Sequence, residues 1–351
     1  MTTLSQDERF CKTSPVKEIQ HIDFITRLNG SDFWPEHKRW AKVIALKLSQ
    51  LAHVCEGKER IGFIRRGERV AGCAGYLGVE FCPDCGKYRV KRASLCRDRA
   101  CPICGALRAA KLANKIKART EAAGGRYIVL VLTTPNVDHG ELKDEIRAMS
   151  EGFTKFMKLK RFRGLFAGYV RTFEVTRSNK PGVKPWNPHI NVLLRVEESY
   201  FRSALYVQQE EFLKLWNAAM GRDDIKDVYV KPADAGGVYE VCKYITKSSN
   251  LDGLRMEEFR EWLNAVKGMR HWSAGGCLRV KDEEVEIKSD EIDDIDDEEA
   301  ALKKTCADCG SYLQYVDMGD NENGEYLPLP FRVSWNFRKK KKKKRSVPND
   351  N

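Results

Sequence analysis

The sequence predicts an α+β protein in which an antiparallel sheet is joined to a helical N-terminal part and a cysteine-rich region. Strand-like apolar segments alternate with amphipathic helix-like segments after residue 123. Six of the twelve cysteines form three Cys-x-x-Cys pairs, a spacing that suits zinc better than a framework of secreted disulfides. The 351 residues, 42% of them apolar, are enough to bury the cores of two or three units.

The segments between residues 123 and 281 follow the order β-α-β-β-α-β and end in a further helix. The four strands are YIVLVLTT, GYVRTFEVT, HINVLLRV and KDVYVK, because each is a short apolar run bounded by turn residues. The helices between them carry apolar residues at three- and four-residue spacing, as in QEEFLKLWNAAM. This order predicts a split β-α-β-β-α-β sheet, in which the first and third strands are central and the third pairs with the second.

Composition divides the rest of the chain into five parts. An N-terminal helical region is expected over residues 1–72, and a cysteine-rich region followed by a basic helix over 73–122. After the sheet domain we expect an acidic linker over 282–300, a second Cys-x-x-Cys module over 301–337 and a disordered basic tail over 338–351.

The net charge of +12 conceals a strong asymmetry. Residues 282–299 hold twelve acidic residues and one lysine, so the remainder of the chain carries +23. A basic body of this kind favours a polyanionic partner, for which nucleic acid is the leading candidate. The basic helix ALRAAKLANKIKART adds four cations that we expect on its solvent side: Arg108, Lys111, Lys115 and Arg119.

The sequence contains no sign of a membrane partner. No apolar run approaches the ~18 residues of a membrane span. The N-terminal MTTLSQDERFCK has no signal-peptide core. We therefore expect a cytoplasmic protein.

The cysteines between residues 82 and 104 have the spacing of a tetrahedral thiolate site. Cys82-x2-Cys85 and Cys101-x2-Cys104 are separated by fifteen residues, which predicts two knuckles around one Zn²⁺ ion. Because four thiolates leave no open coordination position, the predicted zinc is structural and takes no part in chemistry.

Three further cysteines leave the distribution of zinc ligands open. Cys96 lies between the two knuckles, so five thiols compete for four places. Cys306 and Cys309 form another knuckle far along the chain. This last knuckle either completes a site with spare upstream thiols or binds a separate ion.

The third strand of the predicted sheet begins with polar residues. In NPHINVLLRV, Asn187, His189 and Asn191 share one face by the two-residue period of a strand. The neighbouring strand supplies Glu174. Imidazole, carboxylate and carboxamide oxygen together suit Mn²⁺ or Mg²⁺, so His189, Glu174 and Asn191 are candidate ligands of a catalytic ion. A histidine satisfied by hydrogen bonds near a strand end is the simpler alternative.

A second set of polar residues lies in YEVCKYITKS. Glu240, Tyr244 and Lys247 occupy one side of the predicted helix because they are four and three residues apart. A tyrosine hydroxyl, with a pKa of about 10, is a weak nucleophile at neutral pH. A metal that polarises a phosphate and a lysine that stabilises negative charge would make its attack feasible. Glu240 could then activate water or a second hydroxyl as a general base.

These motifs together resemble the rolling-circle replication initiators of small plasmids, members of the HUH endonuclease superfamily. The resemblance runs from about residue 80 to 335 and is specific because the motifs come in the family's order. The matching segments are LCRDRACPIC (95–104), LTTPN (132–136), NPHIN (187–191), EVCKYITK (240–247) and MRHWSAGGCLRV (269–280).

The resemblance implies a metal-dependent DNA endonuclease that cuts one strand at the double-strand origin of a plasmid. It implies Tyr244 as the nucleophile that becomes joined to the 5′-phosphate, while the free 3′-hydroxyl primes leading-strand synthesis. Glu240 would promote the hydrolysis that ends a round. The partners would be origin DNA, single-stranded at the nick, with a host polymerase. No GxxxxGK[ST] phosphate loop is present, so a host helicase would have to unwind the duplex.

One residue departs from the family pattern. The family has histidine at both ends of its metal motif, whereas this chain has Asn191 at the second end. A carboxamide oxygen is a legitimate ligand for a hard cation, so activity is compatible with this change. Two other functions stay open on the sequence. One is a zinc-containing protein that binds an origin without cutting, and the other is a transposase or mobilisation relaxase of the same superfamily.

Overall fold

The computed structural model describes residues 22–31, 33–233, 241, 251, 253–287 and 305–329. Outside this part of the chain lie the predicted catalytic residues Tyr244, Glu240 and Lys247, most of the acidic linker and the whole basic tail. The described residues combine helices with antiparallel sheets, which confirms the predicted α+β class. Their helices include none with the length and apolar character needed to cross a bilayer.

Three helices open the described chain: α1 (Ile22–Asn29), α2 (Trp34–His53) and α3 (Gly57–Ala71). Pro35 lies in the first turn of α2, where its missing N–H removes no helical hydrogen bond. The apolar stripe of α2, which includes Leu48, is buried and packs largely against α3. A helical N-terminal part is therefore present over the described residues.

The first sheet joins distant parts of the sequence. It contains β1 (Tyr76–Phe81), β2 (Tyr88–Ala93), β8 (Gln314–Asp320) and β9 (Tyr326–Pro328) in the order β2-β1-β8-β9, with antiparallel pairing throughout. Strand β8 pairs with the full length of β1. The Cys-x-x-Cys module that we predicted at 301–337 therefore does not stand apart, because its strands complete the sheet of the cysteine-rich region.

A buried lysine holds this sheet to the N-terminal helices. Lys38 of α2 donates hydrogen bonds to the carbonyl oxygens of Ala71 at 2.9 Å and Cys73 at 2.7 Å. Its ammonium also lies 3.4 Å from a carboxylate oxygen of Asp320 on β8. Burial lowers the pKa of Lys38, and the carboxylate of Asp320 opposes that effect. The charge is thus kept in the interior by three partners from two segments, the end of α3 and strand β8.

The second sheet is the framework for the candidate catalytic residues. It contains β3 (Arg126–Thr133), β4 (Gly168–Arg177), β5 (Trp186–Val196), β6 (Val228–Ala233) and β7 (Trp272–Gly276). The strand order is β6-β3-β5-β4-β7, and all neighbours are antiparallel. Strands β3 and β5 lie inside the sheet and β5 pairs with β4, as the order of the sequence segments predicts, whereas β7 is a fifth strand beside β4 that the prediction lacked.

Helices cover one face of the second sheet. Helices α5 (Leu142–Met157) and α6 (Gln209–Met220) follow β3 and β5 in the chain, and α7 (Met256–Ala265) packs beside α5. Their large buried side chains form one continuous core with the strands: Phe153, Phe156, Phe212, Trp216 and Phe259. Trp216 also donates its indole N–H to the carbonyl of Thr133 at 2.8 Å, which fixes α6 against β3.

The opposite face of the second sheet is covered by the long helix α4 (Pro102–Ala123). Leu112 and Ile116 of α4 form a separate buried cluster with strand residues, among them Val170 and Leu193. We call this side of the sheet the α4 face. Because α4 begins among the cysteines and ends on the second sheet, it connects the two halves of the molecule.

Candidate functional site

Glu174, His189 and Asn191 meet on the α4 face of the second sheet. The register places Glu174 of β4 opposite His189 of β5 and places Thr172 opposite Asn191. Directly paired residues point to the same side of a sheet. His189 Nε2 lies 2.7 Å from Glu174 Oε2, and Asn191 Nδ2 lies 3.5 Å from the same oxygen. The structure therefore brings together the three side chains that the sequence singled out.

The donor set of this triad fits a hard divalent cation. Only 14% of the His189 side chain and 4% of the Glu174 side chain are exposed, so an ion here would lose most of its water. His189 Nδ1 lies 3.3 Å from the carbonyl oxygen of Asn187. A proton donated from Nδ1 to that carbonyl leaves the Nε2 lone pair on the Glu174 side. One nitrogen, one carboxylate and one carboxamide are ligands that Mn²⁺ and Mg²⁺ accept.

A threonine beside the triad is hydrogen-bonded to Val241, which precedes the predicted nucleophile by three residues in the sequence. Thr172 is fully buried and donates its hydroxyl to the carbonyl oxygen of Val241 at 3.0 Å. Val241 is helical, 1% exposed and part of the cluster beneath α4. In the sequence it directly follows Glu240 and precedes Tyr244 by three residues. Residue 241 is thus fixed to the sheet face that carries the triad.

The structure distributes the cysteines differently from our prediction. Cys82 and Cys85 do not share a site with Cys101 and Cys104. Two separate groups of four thiols form instead, each with all sulfur atoms within 4.8 Å of one another. The prediction paired knuckles that are neighbours in the sequence, whereas β8 brings a distant knuckle against β1. The groups are Cys73, Cys96, Cys101 and Cys104, and Cys82, Cys85, Cys306 and Cys309.

The spacing in both groups suits a metal with four thiolate ligands. A Zn–S distance of about 2.3 Å in a tetrahedron places sulfurs about 3.8 Å apart. The sulfur of Cys104 lies 3.6 Å from that of Cys73 and 3.7 Å from that of Cys96. In the other group the separations are 3.3 Å between Cys82 and Cys309 and 3.6 Å between Cys85 and Cys306. Both groups could therefore hold an ion such as zinc.

Backbone N–H groups point at the sulfurs of the first group, which we call the buried thiol site. The N–H of Arg97 donates to Cys104 Sγ at 3.2 Å, and the N–H of Asp98 donates to Cys96 Sγ at 3.4 Å. Arg97 adopts a left-handed conformation with φ 58°, which turns its N–H toward the sulfur. The hydrogen bond between Cys101 and Cys104 lowers the pKa of Cys104 and raises that of Cys101, whereas the bond from the N–H of Arg97 lowers the pKa of Cys104. Such bonds favour the thiolate that a metal requires.

An aspartate, Asp98, bonds the loop of the buried thiol site to helix α3. Asp98 accepts two hydrogen bonds from Arg66 of α3, each at 2.9 Å, and one from the N–H of Ala100 at 3.0 Å. Burial raises the pKa of Asp98, but the hydrogen bond and charge of Arg66 outweigh it and the pKa is lowered. The carboxylate thus stays charged and fixes the loop that carries Cys96 to helix α3.

The second group, which we call the paired-knuckle site, has an approximate internal two-fold pattern. Residues 82–88 read CPDCGKY and residues 306–312 read CADCGSY. Each knuckle closes with a glycine N–H donating to the carbonyl of its first cysteine, and both glycines have positive φ. Asp84 of the first accepts a hydrogen bond from Ser311 of the second. In return Lys87 lies 2.7 Å from Asp308. The two knuckles therefore contact each other through side chains at equivalent positions.

Two residues of these sites carry no distinguishing signal in the sequence. Cys73 has no Cys-x-x-Cys partner, so its spacing gave no sign that it completes the buried thiol site. Thr172 is one of many strand threonines, and only the structure shows its bond to Val241. The pairing of the knuckles had a usable signal, because the shared Cys-x-Asp-Cys-Gly-x-Tyr pattern marks them as equivalent halves.

Several proteins of known name are similar to this chain. A protein named "Protein rep" from Bacillus sp is 33% identical over 165 residues, which is 46% of this chain and 53% of that protein. One from Staphylococcus aureus is 32% identical over 189 residues, covering 52% and 82%. One from Streptococcus pneumoniae serotype 2 (strain D39 / NCTC 7466) is 26% identical over 270 residues, covering 73% and 82%. The alignments span only about half the length of the Bacillus relatives.

No solved structure gives a significant match. The model of a protein family described as "Replication protein" matches residues 87–322, which is more than half of the chain. This range includes the triad of candidate metal ligands, the predicted nucleophile, three cysteines of the buried thiol site and two of the paired-knuckle site. The resemblance to replication initiators of plasmids that the motif order indicated is confirmed at the level of this family. The chain belongs to the replication protein family.

Proposed function

We propose that this protein starts rolling-circle replication by nicking one DNA strand at the double-strand origin of its plasmid. The observation that carries the proposal is the convergence of His189, Glu174 and Asn191 on the sheet face where Thr172 holds Val241. Tyr244 is three residues from Val241, so their Cα atoms are separated by at most about 11 Å. This short separation keeps Tyr244 near the sheet face where a metal-bound phosphate would lie, so its hydroxyl would be available for attack on that phosphate.

The covalent step exchanges one phosphate ester for another. The Tyr244 oxygen attacks the scissile phosphorus and forms a Tyr–O–P bond, and the bond from phosphorus to the 3′-oxygen breaks. The tyrosine gives up its proton and the leaving 3′-oxygen takes one up. The product is a 5′-phosphotyrosine and a free 3′-hydroxyl that a host polymerase can extend. Lys247 would stabilise negative charge on the phenolate or phosphate, and Glu240 would activate water or a second hydroxyl when the intermediate is resolved.

The triad has a defined part in this proposal. Mn²⁺ or Mg²⁺, when bound by His189, Glu174 and Asn191, would supply Lewis-acid polarisation of the scissile phosphate. Glu174 contributes the negative charge that retains the ion, and the hydrogen bond from His189 Nδ1 to the carbonyl oxygen of Asn187 aligns the imidazole. The central position of β3 and β5, with β4 and β6 outside them, agrees with the split sheet of HUH endonucleases. It supports assignment to that superfamily over an unrelated DNA-binding protein.

Replacing His189 by alanine tests the site separately from DNA recognition. We expect His189→Ala to abolish nicking of origin DNA, because the only nitrogen ligand of the triad is removed. Origin binding should be retained, since only 14% of the His189 side chain is exposed and its Nε2 lies 2.7 Å from Glu174. Nicking is read from relaxation of supercoiled plasmid and binding from mobility shift. Undiminished nicking by this variant would show that the triad is not catalytic.

The asparagine in the triad predicts a distinctive dependence on metal. A neutral oxygen in place of a second imidazole makes the site harder, which lessens its preference for Mn²⁺ over Mg²⁺. It is also a weaker donor, so we expect nicking to require divalent ion at about millimolar concentrations. Asn191→His should lower the required concentration and restore a preference for Mn²⁺, which metal titrations of nicking and of binding will measure. An unchanged requirement would show that Asn191 is not a ligand.

A further inference from the structure

The first residues of the acidic segment lie against helix α4. The predicted linker would have placed them in solvent. Val285 and Ile287 are each 4% exposed, and Val285 belongs to the buried cluster that includes Ile116 of α4. The N–H of Lys281 donates to Glu284 Oε1 at 2.8 Å and closes a short turn. We call residues 281–287 the acidic strap. It is anchored by apolar side chains and placed by a turn.

The acidic strap presents its carboxylates to cations on and beside α4. Arg119 Nη2 lies 3.4 Å from Glu284 Oε2, and Arg97 Nη1 lies 4.0 Å from Glu286 Oε1. The N–H of Lys281, followed by the charges of Arg119 and Lys115, lowers the pKa of Glu284. The strap therefore places two negative charges beside a group of three cations.

One cation that we expected in solvent is instead covered by the strap. Lys111 is only 6% exposed, and its ammonium donates to the carbonyl oxygen of Glu286 at 3.1 Å. The remaining cations of this side stay accessible in part: about half of the Arg97 and Arg119 side chains is exposed, at 52% and 48%. We call Arg97, Lys115 and Arg119 the α4 cation group.

We propose that the α4 cation group is a binding surface for the phosphate backbone of duplex DNA, and that the carboxylates of the acidic strap compete with DNA for it. This inference rests on the proposed function, since it assumes a protein that acts on DNA. Exposed ion pairs are individually weak and are screened by salt. A DNA duplex offers a dense row of phosphates and gains from releasing its counterions. Glu284 and Glu286 can thus be displaced while Val285 and Ile287 keep the strap in place.

Such competition lowers the occupancy of bulk DNA, to which only phosphate contacts are made. Phosphate contacts bind all sequences alike, whereas contacts to bases distinguish them. An intramolecular competitor for phosphate contacts weakens binding to every sequence, so a complex forms mainly where base contacts add to the affinity. A purely structural strap would leave DNA affinity unaffected by its carboxylates.

The test removes the two charges and keeps the shape of the strap. Glutamine retains an amide oxygen that can accept the N–H of Lys281, so Glu284→Gln with Glu286→Gln should fold normally. We expect this double variant to bind a non-origin duplex about fivefold more tightly at low salt. The slope of log affinity against log salt should steepen by about one to two, because additional phosphates are contacted. Binding is measured by fluorescence anisotropy across a salt series.

A matched control separates the strap from a general change of charge. Glu59 and Glu151 are exposed glutamates that pair with Arg260 and Arg147 away from α4. Their double change to glutamine alters the net charge equally, and we expect an affinity gain of less than twofold. Combining the strap substitutions with Arg119→Gln should cancel much of the fivefold gain.

The outcomes distinguish this inference from the proposed function. An equal gain in the control, an undiminished gain with Arg119→Gln, or no gain in the strap variant would each overturn the competition. Origin nicking by the unaltered protein is recorded in the same preparations. If nicking occurs while the strap variant binds DNA as before, the competition alone fails. If the unaltered protein neither binds nor nicks DNA, the proposed function fails as well.

Discussion

Replacing Tyr244 by phenylalanine is expected to eliminate nicking of origin DNA and the covalent protein–DNA adduct together. Phenylalanine keeps the ring but lacks the oxygen that attacks phosphorus, so a loss of at least about a thousandfold is expected in a mechanism with a single nucleophile. Folding and origin binding should be unchanged. The adduct is detected as a labelled band that survives denaturation, and its position is mapped by peptide mass spectrometry.

A second tyrosine provides the matched control for this experiment. Tyr229 lies on β6 and is 50% exposed, so its replacement by phenylalanine also removes one phenolic oxygen without disturbing the core. Tyr229→Phe should nick origin DNA at the normal rate. An adduct that persists in Tyr244→Phe would show that another residue is the nucleophile.

Replacing Cys104 by serine is expected to lower the free energy of unfolding strongly. Cys104 is fully buried, and its sulfur lies 3.6 and 3.7 Å from the sulfurs of two other cysteines. It also accepts a hydrogen bond from the N–H of Arg97. Binding of zinc by four thiolates contributes directly to folding free energy, so loss of a ligand should cost at least about 4 kcal/mol. Chemical denaturation measures the free energy of unfolding, and metal analysis should show the loss of one zinc ion per chain.

Another buried cysteine supplies the comparison. Cys55 is 5% exposed but belongs to neither thiol group among the described residues. Cys55→Ser should cost only about 1 kcal/mol, the usual penalty for a poorly satisfied hydroxyl in the interior, and should retain both zinc ions. If Cys104→Ser lost no zinc and were no less stable than Cys55→Ser, the buried thiol site would not be a metal site.

Local sequence patterns predicted the second sheet well because its strands and helices are contiguous in the chain. The alternation in NPHINVLLRV placed His189 and Asn191 on one face, and the order of segments placed β5 in the centre. The first sheet was not foreseen. Strand β8 pairs with β1 across more than two hundred residues, and no periodicity within either segment records that pairing.

The candidate site was predictable to the extent that strand register determines it. Glu174 and His189 are direct partners on adjacent strands, so a short connection and the two-residue period suffice to bring them together. Thiol groups assembled from separate segments were not predictable in the same way. Cys73 contributes from a turn between α3 and β1, and the acidic strap reaches α4 only because Val285 and Ile287 have a core to enter. The high charge of the acidic strap masked the apolar pattern of Val285 and Ile287 in the sequence.

Incubation with origin DNA tests most directly whether this replication protein cuts DNA itself, as we propose. Purified protein is incubated with a supercoiled plasmid carrying the origin that accompanies its gene, with and without Mn²⁺, and the DNA products are resolved. We expect open circles only with metal, a single nick at one position, protein joined to the 5′ end and a 3′-hydroxyl that a polymerase extends. Tight binding to the origin with no nick under any metal condition would contradict the account and favour an origin-binding protein that does not cleave.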